Sequence, residues 1–129
     1  MQYRAREDIK NDSVTEKIIA ACFNVHKALG PGFNEKIYRN ALKLAIENIP
    51  FKCSVEKRYN VEYENKVVGN LIVDFIVEDK IIVEIKAITG IMPKVFEQQI
   101  LSYLKVTDLK IGLLVNFGEK SCQVKRYIN

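Results

Sequence analysis

The chain has no apolar run near the about 20 residues that a membrane-spanning helix needs. Its opening, "MQYRAREDIKND", is polar and unlike a secretion signal. Both absences argue against a membrane segment and for a cytoplasmic location. Cysteine is scarce and odd in number: Cys22, Cys53 and Cys122 lie far apart, which argues against a disulfide framework or a zinc knuckle and for reduced packing residues. There is no internal repeat, no low-complexity linker and no interleaving of basic and aromatic residues of the kind single-strand binders use.

What is present fits one domain with a real core: 129 residues, 48% of them hydrophobic and 28% charged. The net charge of +4 is compatible with an anionic partner but does not identify one. Residues 1–12 read as a polar, frayed lead-in and 13–129 as the folded unit.

Ser13 and Glu16 form a capping box, so a helix is expected to start there, with Ile18, Ile19, Cys22, Phe23 and Val25 on its apolar face and Gly30-Pro31 ending it. A second helix is expected from about Asn34 to Asn48, with Ile37, Tyr38, Ala41, Leu42 and Ala45 facing inward and Pro50 closing it. From Phe51 the period changes to two, predicting strands joined by turns at Glu64-Asn65-Lys66 and at Glu78 to Lys80. "KVFEQQILSYLKV" returns to helical spacing, followed by an apolar strand "KIGLLVNF" and a polar-alternating strand "CQVKRYI". The order predicts an α/β (α+β) sandwich, a mixed β-sheet flanked by helices.

Within "VDFIVEDKIIVEIKA", Asp74, Glu84 and Lys86 stand among isoleucines and valines. Buried charges cost several kcal/mol unless paired or bound to a metal. With a three-residue turn at Glu78, Asp79 and Lys80, counting outward sets Asp74 opposite Glu84, where Cβ atoms lie about 4.5–5.5 Å apart. A two-residue turn makes the pair diagonal, still close enough to share an ion. Lys86 falls on the same face as Glu84, with Ile72, Ile76 and Ile82 as neighbours. Converging carboxylates repel unless a cation intervenes, and carboxylate oxygens suit Mg²⁺ or Mn²⁺. A lysine beside such an ion can stabilise phosphorane charge or help the attacking water. The alternative is a buried structural ion pair of Lys86 with Asp74 or Glu84.

Asp74 followed by Glu84-Ile85-Lys86 resembles the D…(D/E)-x-K signature of the PD-(D/E)XK nuclease superfamily, and "GFNEKIY" resembles the Gly-x-x-Glu-x-x-Tyr motif of its GxxExxY family. "VHKALGPG" and "SYLKVTDLKIGLLVNFG" also look like that family, so the resemblance runs from about Val14 onward. "QILSY" is similar to the Gln-x-x-x-Tyr element of RecB-like members.

The resemblance implies a restriction-endonuclease-like core that hydrolyses phosphodiester bonds of nucleic acid, DNA rather than RNA, in repair, recombination or defence. It implies Mg²⁺ or Mn²⁺ held by Asp74 and Glu84, with Glu35 and His26 completing the shell. Lys86 would aid attack by water, Gln99 would orient the water, Lys86 or a phosphate, and Tyr103, four residues after Gln99, shares its helical face. Each assignment has a plainer competitor: a helix-dipole role for Glu35, a packing-edge role for Gln99, a satisfied core role for His26. Tyr38 is expected in the core. Lys52, Lys57, Arg58, Lys94, Lys105 and Lys110 could touch phosphates or form a solvated face.

Val73 stands where the superfamily's eponymous proline would be, and the iron–sulfur cysteines of some RecB-like relatives are missing. No extra module for gripping a duplex is evident; a homodimer or larger complex would supply that grip. The opposing reading is a non-catalytic nucleic-acid-binding or protein-interaction module that keeps the fold.

Overall fold

The structure, a computed structural model, describes residues 2–3 and 13–129. In chain order these are β1 (Gln2–Tyr3), α1 (Ser13–Leu29), α2 (Glu35–Glu47), β2 (Cys53–Tyr63), β3 (Lys66–Val77), β4 (Ile81–Lys86), α3 (Lys94–Thr107), β5 (Ile111–Asn116) and β6 (Gln123–Ile128). Gln2 and Tyr3 pair with Ile128 and Tyr127 of β6, a departure from the frayed lead-in expected there, because an unpaired edge strand offers a ladder to any extended neighbour. The rest of the expected lead-in lies outside the described residues.

The strands form one mixed sheet in the order β1-β6-β5-β4-β3-β2. All neighbours are antiparallel except β4 and β5, which run parallel through the α3 crossover. A parallel pair needs such a long connection, so the apolar runs "IIVEIK" and "IGLLVN" become the doubly covered centre of the sheet.

Alternation along β4 divides the core. Ile81, Val83 and Ile85 join Ile18, Cys22, Val25, Tyr38, Leu42 and Ile46 of α1 and α2, while Ile82 joins Ile100 and Leu104 of α3 on the other face. The first helix begins at Ser13, where the capping pair predicts. The second is capped by Asn34, whose Oδ1 accepts from the Ile37 amide at 3.2 Å. Two expected core residues face out: Phe23 is 47% exposed and Ile37 also lies on an outer face. The helices bury narrower stripes, completed by Ala21 on α1 and Ile46 on α2.

Among the described residues no helix is long and apolar enough to cross a membrane. Cys22, Cys53 and Cys122 are all free, and burial raises the Cys122 thiol to about 11.

Strand β3 carries an irregularity at its acidic residue. Leu71 and Val73 pack toward α3, whereas Phe75 and Val77 pack toward α1 and α2, so the strand changes faces at Asp74. Opposite this point, between the pairs Val55↔Phe75 and Lys57↔Val73, Glu56 adopts a left-handed backbone with φ of 52°. Ile72, expected beside the buried charges, is consequently turned away and 42% exposed, while Ile76 and Ile82 are buried as expected.

Candidate active site

The hairpin register pairs Val77 with Ile81 and Phe75 with Val83, as the three-residue turn requires. Beyond Phe75 the backbone ladder stops and carboxylates take over. The Ile85 amide donates to Asp74 Oδ2 at 2.9 Å, and the Asp74 amide donates to Glu84 Oε2 at 3.2 Å. Each acid accepts an N–H that the diverging strands leave without a carbonyl, as buried amides demand.

Glu84 is only 4% exposed. Its burial, then the hydrogen bond and charge of Asp74, push its acid up to about 9, against the opposing pull of Lys86. At neutral pH Glu84 therefore keeps its proton beside Asp74. A pair of converging acids that must retain a proton is a pair that a hard divalent cation can relieve, so the donor set fits Mg²⁺ or Mn²⁺. Among the described residues no group of three His, Cys, Asp or Glu side chains gathers as a metal cage. Two carboxylates, with water and phosphate for the remaining positions, is an ordinary Mg²⁺ arrangement.

Helix α3 brings a second set to the same edge. Lys86 Nζ donates to Gln99 Oε1 at 3.3 Å and lies 4.2 Å from the centre of the Phe96 ring. Gln99 and Phe96 thus hold the ammonium, by hydrogen bond and by cation–π attraction. Tyr103 follows one turn later; partial burial, then the negative charges of Glu84 and Asp74, raise its phenol above the usual value. Asp74, Glu84, Lys86, Gln99 and Tyr103 are brought together as expected. Phe96, read from the sequence only as a packing residue, also serves the lysine, and its three-residue spacing from Gln99 was the available signal.

Glu35 reaches the site through an intermediary. Arg39, one helical turn later, places Nη2 3.2 Å from Glu35 Oε2, Nη1 3.1 Å from Glu56 Oε1 and Nε 3.4 Å from Asp74 Oδ1. One guanidinium therefore faces three carboxylates. Sequence reasoning missed both partners: the Glu35–Arg39 spacing could have flagged Arg39, but nothing local marks Glu56.

His26 is not brought to the carboxylates. Its Nε2 is 2.7 Å from the Glu119 carbonyl oxygen and its ring lies parallel to Phe117, with centroids 6.3 Å apart. The ligand role expected of it gives way to that of a satisfied core histidine, because the inward face of α1 meets the loop after β5. Tyr38 occupies the core as expected, stacked on Phe117 at 4.8 Å. Its hydroxyl donates to the Gly30 carbonyl and accepts from the Phe33 amide, tying down the loop that launches α2 and Glu35.

Three comparisons bear on this geometry. The family model described as the PD-(D/E)XK nuclease superfamily matches residues 12–127. The crystal structure of SSO0001 is similar in fold, with a TM-score of 0.58 and 17% sequence identity; the match covers 95% of this chain and 62% of that one. No curated protein matches.

Proposed function

Because the chain belongs to the PD-(D/E)XK nuclease superfamily, we propose that it is a metal-dependent nuclease hydrolysing phosphodiester bonds of nucleic acid, DNA rather than RNA. The observation that carries this reading is the Asp74–Glu84 pair, two acids converging in a buried place where one must stay protonated without a cation.

A divalent ion supplies polarisation of the phosphate and a lowered pKa for bound water. Asp74 and Glu84 would hold it through their carboxylates. Lys86, aimed by Gln99 and Phe96, directs its ammonium at the scissile phosphate, where negative charge grows as water adds to phosphorus and the bond to the leaving oxygen breaks. Gln99 orients Lys86, and Tyr103 lines the same wall with a hydroxyl that stays protonated. The Gly32, Glu35 and Tyr38 motif favours the GxxExxY family within the superfamily. A cytoplasmic role in repair, recombination or defence, in a homodimer or larger assembly, accompanies the proposal.

The test is release of fluorescent fragments from labelled DNA and RNA with Mg²⁺ or Mn²⁺ against EDTA. Wild type should cleave DNA only with metal, and Asp74→Asn and Lys86→Ala should each lose about 10²–10³-fold in rate. No cleavage of any substrate, with wild type and both folded variants binding nucleic acid equally, would establish a non-catalytic binding module instead.

A further inference from the structure

Arg39 sits where the flank of Asp74 would otherwise be open to a second cation. Its three nitrogens each address a different carboxylate, with Nε toward Asp74 Oδ1 and Nη2 toward Glu35 Oε2. The hydrogen-bonded anchors are Glu35 and Glu56; Nε is buried and among the described residues makes no hydrogen bond of its own, meeting Asp74 by charge at 3.4 Å. The two glutamates therefore aim the guanidinium, and Asp74 is what it is aimed at. The left-handed backbone at Glu56 is part of this aim, since it lies at the point where the strand pair changes faces and its carboxylate meets a residue of α2.

A cation bridging Glu35 and Asp74 would need oxygens from both at about 2.0–2.6 Å. The guanidinium instead stands between them, with one oxygen on each of two different nitrogens. A planar fork that is permanently charged neutralises such a pair as a bound ion would, and does not dissociate. Among the described residues Glu84 forms no ion pair with an arginine, and its Oε2 accepts from the Asp74 amide.

Resting on the metal-nuclease reading, we infer that Arg39 is a resident cation limiting the site to one divalent ion, held by Asp74 and Glu84, with Glu35 an aiming residue for Arg39 and no metal ligand.

Calorimetric titration of the full chain with Mn²⁺, checked by the electron paramagnetic resonance of bound Mn²⁺, reads this directly. Wild type should bind one ion. Arg39→Met, which removes the charge and keeps the apolar stem, should bind two, and adding Glu35→Gln should abolish the second. If Arg39→Met does not fold, Glu35→Gln alone still decides: Mn²⁺ affinity should stay within about twofold of wild type, whereas a loss of about tenfold or more makes Glu35 a ligand and overturns the inference. Two ions in wild type, with metal-dependent cleavage intact, overturn the role of Arg39 and leave the nuclease reading standing. No Mn²⁺ binding by wild type overturns both.

Discussion

Asp74 and Glu84 face each other at the point where the β3–β4 ladder ends, and each carboxylate accepts a backbone N–H that the parting strands release, Asp74 Oδ2 from Ile85 and Glu84 Oε2 from Asp74 itself. The pair is thus built into the backbone hydrogen bonding and cannot swing away independently of the sheet. Its charge state becomes a property of the fold.

Stability should carry the imprint of that state. In the folded chain Glu84 holds its proton up to about 9, against 4.5 ordinarily. Between these values the folded state binds more protons than the unfolded one, so stability is highest at the acid end and falls as pH rises. Without metal, the melting temperature should drop from about pH 5 to about pH 9 through this group, and Glu84→Gln should flatten the slope. Saturating Mn²⁺ should flatten it too, by displacing the proton. A wild-type profile no steeper than that of Glu84→Gln in EDTA would contradict the protonated pair.

His26 offers a contrast between packing and ligation. Replacing it by alanine removes the bond to the Glu119 carbonyl and the contact with Phe117, and should cost about 1–3 kcal/mol. The gain from Mn²⁺, about 2.7 kcal/mol at a hundredfold excess over Kd, should be unchanged. Melting curves with and without Mn²⁺ check both, and loss of the metal-induced gain would restore His26 to the shell.

Tyr38→Phe should keep the ring stack on Phe117 and lose the hydroxyl that joins the Gly30 carbonyl to the Phe33 amide. A loss of about 1–2 kcal/mol is expected, read as a lower urea midpoint with an unchanged slope.

Gly118→Ala should be the most damaging small change. A Cβ there would stand 2.2 Å from the Ile88 carbonyl oxygen and 2.4 Å from its amide nitrogen, backbone atoms that cannot rotate aside. The same Ile88 is gripped by the buried Asn116, which accepts from its amide at 2.9 Å and donates to its carbonyl at 3.0 Å. Together they seat the segment leaving β4 just after Lys86. Denaturant unfolding should show a loss of about 3 kcal/mol or more.

Much of the site was legible because its signals are local. The turn at Glu78 to Lys80 set the register that opposes Asp74 to Glu84, two residues of strand placed Lys86, and one helical turn joined Gln99 to Tyr103. The capping pair Ser13 and Glu16 and the switch to period two after Phe51 outlined the elements. Misread positions depended on how elements meet. Phe23 and Ile37 fit an apolar helical face but fall outside the narrower stripes that the sheet covers.

The sequence by itself determined the elements, the order of the acids and the hairpin that opposes them, because periodicity, caps and turn residues act over a few positions. Only the tertiary structure decided that His26 joins the core, that β3 changes faces at Asp74, and that Arg39 stands between Glu35 and Asp74. Those outcomes depend on side chains far apart in the chain competing for one space, and the winner is set by packing and charge pairing across elements, which no local pattern records.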